Sequence, residues 1–277
     1  MAREMKALIT ASELKEIFEK PGVRLLDASY GLPPTDIRIG HALDFDIDEV
    51  ADPNAPLAHT LPTPTAFADA AEKFGISNGD HVIVYDRSGV AMAAARVWWM
   101  FRVFGHDKVQ VLDGGLPAWV NAGYPVNETA DEIPPRGTFK PAFRSELFKK
   151  REDIVQNLTD KKFTVLDARD PRRYAGDMPE PRPGMESGHI PGSLSLPYAA
   201  LIDNQTGLFK TGDALKSALA SVDASKPVAI SCGSGVTACV VAIGLHNLGH
   251  TDAAVYGGSW AEWGGDASLP KTKGSQP

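Results

Sequence analysis

Short apolar runs alternate with amphipathic stretches along the whole chain. Leu25-Leu26-Asp27-Ala28 and Val165-Leu166-Asp167-Ala168 are apolar runs that end on Asp, and HVIVY from His81 and KPVAIS from Lys226 are β-branched runs of similar length. Runs this short, rich in β-branched residues and bounded by turn formers, predict buried strands. ASELKEIFEK from Ala11 predicts a helix, with Thr10 and Glu13 spaced as a capping box. Ala238-Cys239-Val240-Val241-Ala242-Ile243 predicts a second, wholly apolar one. Strands alternating with helices predict an α/β protein in which a mainly parallel sheet is flanked by helices.

The pattern occurs twice. Beyond the two Asp-ended runs, Gly40-His41 matches Gly188-His189, and HVIVYDRSGV from His81 aligns with KPVAISCGSGV from Lys226, so that Gly89-Val90 falls on Gly235-Val236. Each copy ends on a doubled glycine and a tryptophan, DGGLPAW at Asp113 and YGGSWAEW at Tyr256. Two similar domains follow, over residues 1–128 and 145–277, joined by a polar, Pro-containing linker at 129–144. The tail DASLPKTKGSQP after Gly264 has no periodicity and is expected to fray. His189, in the recurring Gly-His pair, is expected to shape a turn.

Composition narrows the partners. At 277 residues the chain exceeds what one core usually organises, which agrees with two domains. A formal net charge of −7 disfavours nucleic acid or an anionic membrane as the main partner, so an anionic substrate needs a local cationic cluster. MAREMKALIT lacks the apolar core of a secretory signal, and the apolar stretches around Val90–Phe104 and Val240–Leu245 are interrupted by arginine or too short to cross a bilayer. A cytoplasmic protein is expected. Its two cysteines, Cys232 and Cys239, are expected to be reduced, and no Cys/His spacing resembles a zinc site, so no metal or other cofactor is expected.

One position breaks the symmetry of the repeat: Asp86 stands in the first copy where Cys232 stands in the second. A carboxylate cannot carry a transferable sulfur, so only the second copy can do thiol chemistry. Cys232 follows a strand and opens the turn Cys232-Gly233-Ser234-Gly235-Val236-Thr237 ahead of the apolar helix. At such a turn several backbone N–H groups lack intrahelical partners and can converge on an anion, and glycine gives the backbone the freedom to form the cradle. Cys239, inside the helix, is expected to be inert packing. Cysteine phosphatases share this architecture but clamp phosphate with an Arg six residues after the Cys, where this chain has Ala238.

CGSGVTA from Cys232, GHIPGS from Gly188, LDAR from Leu166 and YGGSW from Tyr256 together resemble the tandem-domain rhodanese sulfurtransferases, over nearly the whole chain. CGSGVTA is similar to the active-site loop of the 3-mercaptopyruvate sulfurtransferases. Thiosulfate-using members usually carry Arg and Lys directly after the cysteine, where this chain has Gly233 and Ser234. The resemblance implies an inactive first domain and an active second one. It implies transfer of sulfur from 3-mercaptopyruvate, through a Cys232 persulfide held by backbone N–H groups of Gly233, Gly235, Val236 and Thr237, to a thiol, cyanide or thioredoxin-like acceptor, with release of pyruvate. It implies substrate binding by Arg173 and Arg182, while Arg172 beside them is read as a solvated loop residue. It also implies a proton relay of Ser234, His59 and Asp48. Thiosulfate:cyanide sulfur transfer, or a non-catalytic sulfur-binding module, stays open as an alternative.

Overall fold

The computed structural model describes residues 5–33, 35, 37–127, 134–223 and 225–277. Residues 128–133, which include the start of the expected linker, lie outside these. The chain divides into two compact units: the first gathers residues from 1–53, 61–144 and 204–208, the second those from 54–60, 145–203 and 209–277.

In the first unit five strands, β1 (Leu8–Ile9), β2 (Val23–Asp27), β3 (Leu43–Asp44), β4 (His81–Tyr85) and β5 (Val109–Leu112), form a sheet in the order β1-β5-β4-β2-β3. In the second, β6 (Phe148–Lys149), β7 (Thr164–Asp167), β8 (Leu194–Ser195), β9 (Val228–Ser231) and β10 (Ala254–Tyr256) are ordered β6-β10-β9-β7-β8. Every pairing is parallel, and the second order is the first with each number raised by five. Each unit is thus a parallel five-stranded sheet with flanking helices. The middle strands β4 and β9 are almost wholly buried because a central parallel strand is covered on both faces; in β4 only His81 is not fully buried, and all four residues of β9 are buried.

The helices carry the signals expected of them. α1 (Ala11–Lys15) starts on Thr10, whose hydroxyl accepts from the Glu13 N–H while the Glu13 carboxylate accepts from the Thr10 N–H. It stops five residues short of the run that predicted it, where Lys20-Pro21-Gly22 turns the chain into β2. In the first unit α2 (Ile47–Val50), α3 (Pro64–Lys73), α4 (Met92–Val103) and α5 (Gly115–Asn121) follow. In the second come α6 (Arg151–Asp160), α7 (Pro171–Ala175), α8 (Gly212–Ala218), α9 (Ala238–Asn247) and α10 (Ser259–Trp263). α9 is buried over nearly its whole length, as a helix apolar on every side must be.

The tail does not fray. Trp263 Nε1 donates to the Pro270 carbonyl at 2.8 Å, and His189 and Thr272 exchange backbone hydrogen bonds at 2.9 and 3.0 Å. Leu269 packs against the core around Trp260 and Trp263. Lack of periodicity marked a segment without regular structure, but its polar groups find partners in the unit. His189, expected to shape a turn, instead anchors this closure: it is buried and stacks on the Tyr174 ring at 3.8 Å.

Candidate active site

β9 ends at the middle of the second sheet, and Cys232 is the next residue. In open parallel α/β sheets, ligands bind beyond the carboxyl ends of the strands. Gly235 takes φ = 78°, a left-handed conformation that favours glycine, and this brings its N–H to 3.1 Å from Cys232 Sγ. α9 begins three residues later. One backbone N–H of that approach, that of Gly235, therefore lies beside the sulfur.

The opposite side of the turn is fixed by α10. Trp260 N–H donates to the Cys232 carbonyl and Ala261 N–H to that of Gly233, each at 2.9 Å. A trans peptide points its C=O and N–H in opposite directions. Anchoring these two carbonyls on α10 therefore turns the N–H groups of Gly233 and Ser234 away from it. The Cys232 N–H is taken by Ser259 Oγ at 3.1 Å, and that hydroxyl donates to the Tyr256 carbonyl at 2.9 Å. Ser259 holds φ = 49°, an uncommon conformation for a side-chain-bearing residue and costly to maintain.

Above the sulfur is a cavity of about 290 Å³. One wall is the turn itself, through Cys232, Gly233, Ser234, Val236 and Thr237; the other contains Arg173, Pro181, Arg182 and Met185. Arg173 is on α7, capped by Asp170, and its guanidinium reaches Glu180. Arg182 makes no hydrogen bond or ion pair among the described residues. Arg172 is exposed and pairs with Asp170. Cys239 is also buried, but it donates its thiol to the Gly235 carbonyl at 3.3 Å and does not line the cavity.

Ser234 and His59 come together: Nδ1 of His59 lies 2.9 Å from Ser234 Oγ. Both belong to the second unit, His59 through the segment 54–60, and His59 is held buried at φ = 59°. Asp48 is an exposed residue of α2 in the first unit.

The first unit repeats the arrangement with one difference. Leu116 N–H donates to the Asp86 carbonyl at 3.0 Å as Trp260 does to Cys232, and Gly115, at φ = 56°, takes the place of Ser259. The Asp86 carboxylate fills its own cradle, with Oδ1 accepting from the N–H groups of Ser88 and Gly89 and from the Ser88 hydroxyl. Burial pushes its carboxyl above the usual carboxylate range.

Among the described residues no group of His, Cys, Asp or Glu could hold a metal ion, and no helix is long and apolar enough to cross a membrane. The rhodanese-like domain model matches this chain twice, at residues 10–122 and 150–266. This chain belongs to the rhodanese family. It is 41% identical over 274 residues to the 3-mercaptopyruvate sulfurtransferase of Mus musculus, covering 93% of this chain and 92% of that one. It is 40% identical over 294 residues to the mitochondrial thiosulfate/3-mercaptopyruvate sulfurtransferase 1 of Arabidopsis thaliana, covering 95% and 77%. The crystal structure of the Tum1 protein from Saccharomyces cerevisiae superposes with a TM-score of 0.88 at 30% identity, covering 98% of this chain and 99% of that one. A sulfurtransferase of this family works between a sulfur donor and a sulfur acceptor.

Within the second rhodanese-like domain, sequence reasoning missed Ser259, Glu180 and Arg169. Ser259 had one available signal: it stands inside the recurring GG-W motif. Glu180 had none, because a glutamate flanked by prolines reads as an exposed loop residue.

Proposed function

We propose that the chain is a 3-mercaptopyruvate sulfurtransferase with Cys232 as the sulfur carrier. The Cys232 thiolate attacks the thiol sulfur of the substrate, an S–S bond forms, and the carbon–sulfur bond breaks. The electron pair stays on carbon as the enolate of pyruvate. That enolate takes up the proton the transferred sulfur gives up, so that pyruvate leaves and Cys232 holds an anionic persulfide. An acceptor then takes the outer sulfur, with cyanide giving thiocyanate and the free thiolate. The observation that carries this proposal is one sulfur, with the Gly235 N–H beneath it, opening on a cavity that also contains two arginines.

Each part has a role in this proposal. The N–H groups of residues 233 to 237 stabilise the persulfide. Arg173 and Arg182 take the substrate's carboxylate and carbonyl, where guanidinium forks are the best match. Ser234 and His59, already hydrogen-bonded, move the proton between sulfur and carbon. Thiols, cyanide and thioredoxin-like dithiols are the acceptors proposed, in a cytoplasmic setting that keeps thiols reduced. Thiosulfate is a second donor to consider, since the Arabidopsis relative carries both donors in its name. Steady-state kinetics with each donor test the proposal. A kcat/KM for 3-mercaptopyruvate well above that for thiosulfate supports it, and the reverse order overturns the donor assignment.

A further inference from the structure

One residue outside the cavity lining grips the clamp arginine. The Glu180 side chain has 0% exposure, yet its carboxylate lies between two guanidinium groups. Oε1 accepts from Arg169 Nη1 at 2.9 Å, and Oε2 accepts from Arg173 Nη2 at 2.5 Å, with Arg173 Nε at 3.3 Å from Oε1. Arg169 is itself immobilised. Its Nε and Nη2 bond to Asp167, Nη2 also donates to the Gly188 carbonyl at 2.7 Å, and its guanidinium lies 4.2 Å over the Trp260 ring. Trp260 is the residue whose N–H holds the Cys232 carbonyl. A continuous set of contacts therefore runs from the backbone of the nucleophile through Trp260, Arg169 and Glu180 to Arg173.

Burying a carboxylate is costly unless opposite charge and hydrogen bonds compensate, and this one is compensated on both oxygens. Two guanidinium and two carboxylate groups balance in charge, so the cluster adds no net charge to the site. Its effect on Arg173 is geometric. A guanidinium offers one edge made by Nε and Nη2 and another made by Nη1 and Nη2. Glu180 occupies the first. Arg173 Nη2 also lies beside the turn, 3.6 Å from where a Cβ on Gly233 would be. The second edge is left for a ligand in the cavity.

We infer that Glu180 is the positioning residue of the substrate clamp: it holds the Nε–Nη2 edge of Arg173 so that the Nη1–Nη2 edge receives the carboxylate of 3-mercaptopyruvate. The inference rests on the substrate assignment made under Proposed function. Glu180 touches no reacting atom and acts on the substrate through Arg173, while its bond to Arg169 holds the carboxylate in place.

The test is Glu180→Gln, which keeps the shape but turns an N–H donor toward one guanidinium. KM for 3-mercaptopyruvate rises about tenfold and kcat changes less than about threefold, as for loss of a preset binding contact. Persulfide loading of the same variant by inorganic polysulfide, which has no carboxylate, stays at the wild-type rate. In an Arg173→Ala background Glu180→Gln adds no further rise in KM, because the group it positions is gone. A KM within about twofold of wild type in a folded Glu180→Gln protein overturns the inference. So does an equal loss of polysulfide loading, which would assign Glu180 to the turn as a whole, or a full second penalty in the Arg173→Ala background. If Arg173→Ala alone leaves KM unchanged, the clamp assignment itself has failed, and with it the role of Glu180. Should Glu180→Gln not fold, Glu180→Asp retains the charge on a shorter stem. It is expected to raise KM about threefold with polysulfide loading intact, and an unchanged KM contradicts the inference.

Discussion

Cys232 and Cys239 differ in what surrounds the sulfur and not in burial, since both are within 1% of full burial. A backbone N–H donates to the sulfur of Cys232, whereas the sulfur of Cys239 donates to a carbonyl. Cys232→Ser is expected to abolish sulfur transfer, and Cys239→Ser to retain activity within about threefold, the hydroxyl replacing the thiol as donor. Donor-dependent pyruvate release measures both, and substantial turnover by Cys232→Ser contradicts the assignment. The arginines should separate as well. Arg173→Ala and Arg182→Ala each cost about 1.5–3 kcal/mol of substrate binding, roughly ten- to a hundredfold in kcat/KM. Arg173→Ala should also lower the melting temperature by leaving buried Glu180 short of a partner, whereas Arg182, unpaired among the described residues, should not. Unchanged kinetics in both variants would show that the anion is held elsewhere. At this scale the strand, turn and helix around Cys232 were legible in the sequence, and the family resemblance pointed to Arg173 and Arg182, which line the same cavity as that sulfur. The sequence marked Ser259 only by its place in the recurring GG-W motif and Glu180 not at all, because a left-handed backbone and a buried ion pair arise only in the folded chain.

Among the elements, the turn between β9 and α9 is the one proposed to set the choice of donor. Thiosulfate is a compact dianion whose leaving group stays highly charged, so a cationic turn aids both its binding and its departure. Mercaptopyruvate carries its single carboxylate away from the reacting sulfur and needs a proton donor there, the role proposed for the hydrogen-bonded pair Ser234 and His59. The backbone of Gly233 accepts a side chain, because a Cβ there meets only the Arg173 guanidinium at ordinary contact distance. Gly233→Arg with Ser234→Lys adds two charges about 4–6 Å from the sulfur, each worth on the order of 3–4 kcal/mol per unit of ligand charge at an effective dielectric near 20. The kcat/KM ratio of thiosulfate to mercaptopyruvate should rise at least tenfold, at roughly 1.4 kcal/mol per decade. A constant ratio in a folded, persulfide-forming variant would show that turn charge does not set donor choice. Element starts were legible and element ends less so. The Thr10–Glu13 box placed the start of α1, but its early end depends on how Lys20-Pro21-Gly22 meets β2.

For the molecule as a whole the repeat carried the most information, because two copies of one pattern fold into two sheets of identical order. The same repeat held the correction to the tail. Trp119 Nε1 donates to Pro125 O and Trp263 Nε1 to Pro270 O, while Asn127 bridges Arg38 and Thr272 bridges His189. Pro-Val-Asn at 125–127 and Pro-Lys-Thr at 270–272 thus close their units alike, a correspondence visible only once the two tryptophans are aligned. Deleting residues 265–277 removes the two His189–Thr272 backbone bonds and uncovers the core beneath Leu269. The cost should be about 3–5 kcal/mol, lowering the melting temperature by roughly 6–15 °C. A melting temperature unchanged by the deletion would mean that the tail contributes nothing.

The central claim is that Cys232 carries one sulfur taken from 3-mercaptopyruvate. Intact-mass spectrometry of the protein after brief exposure to that donor, without an acceptor, tests it most directly. The expected result is a gain equal to one sulfur atom on the wild type and on Cys239→Ser, none on Cys232→Ser, and loss of that gain on adding cyanide. A wild-type protein that releases pyruvate with no added sulfur, or a Cys232→Ser protein that gains it, contradicts the account.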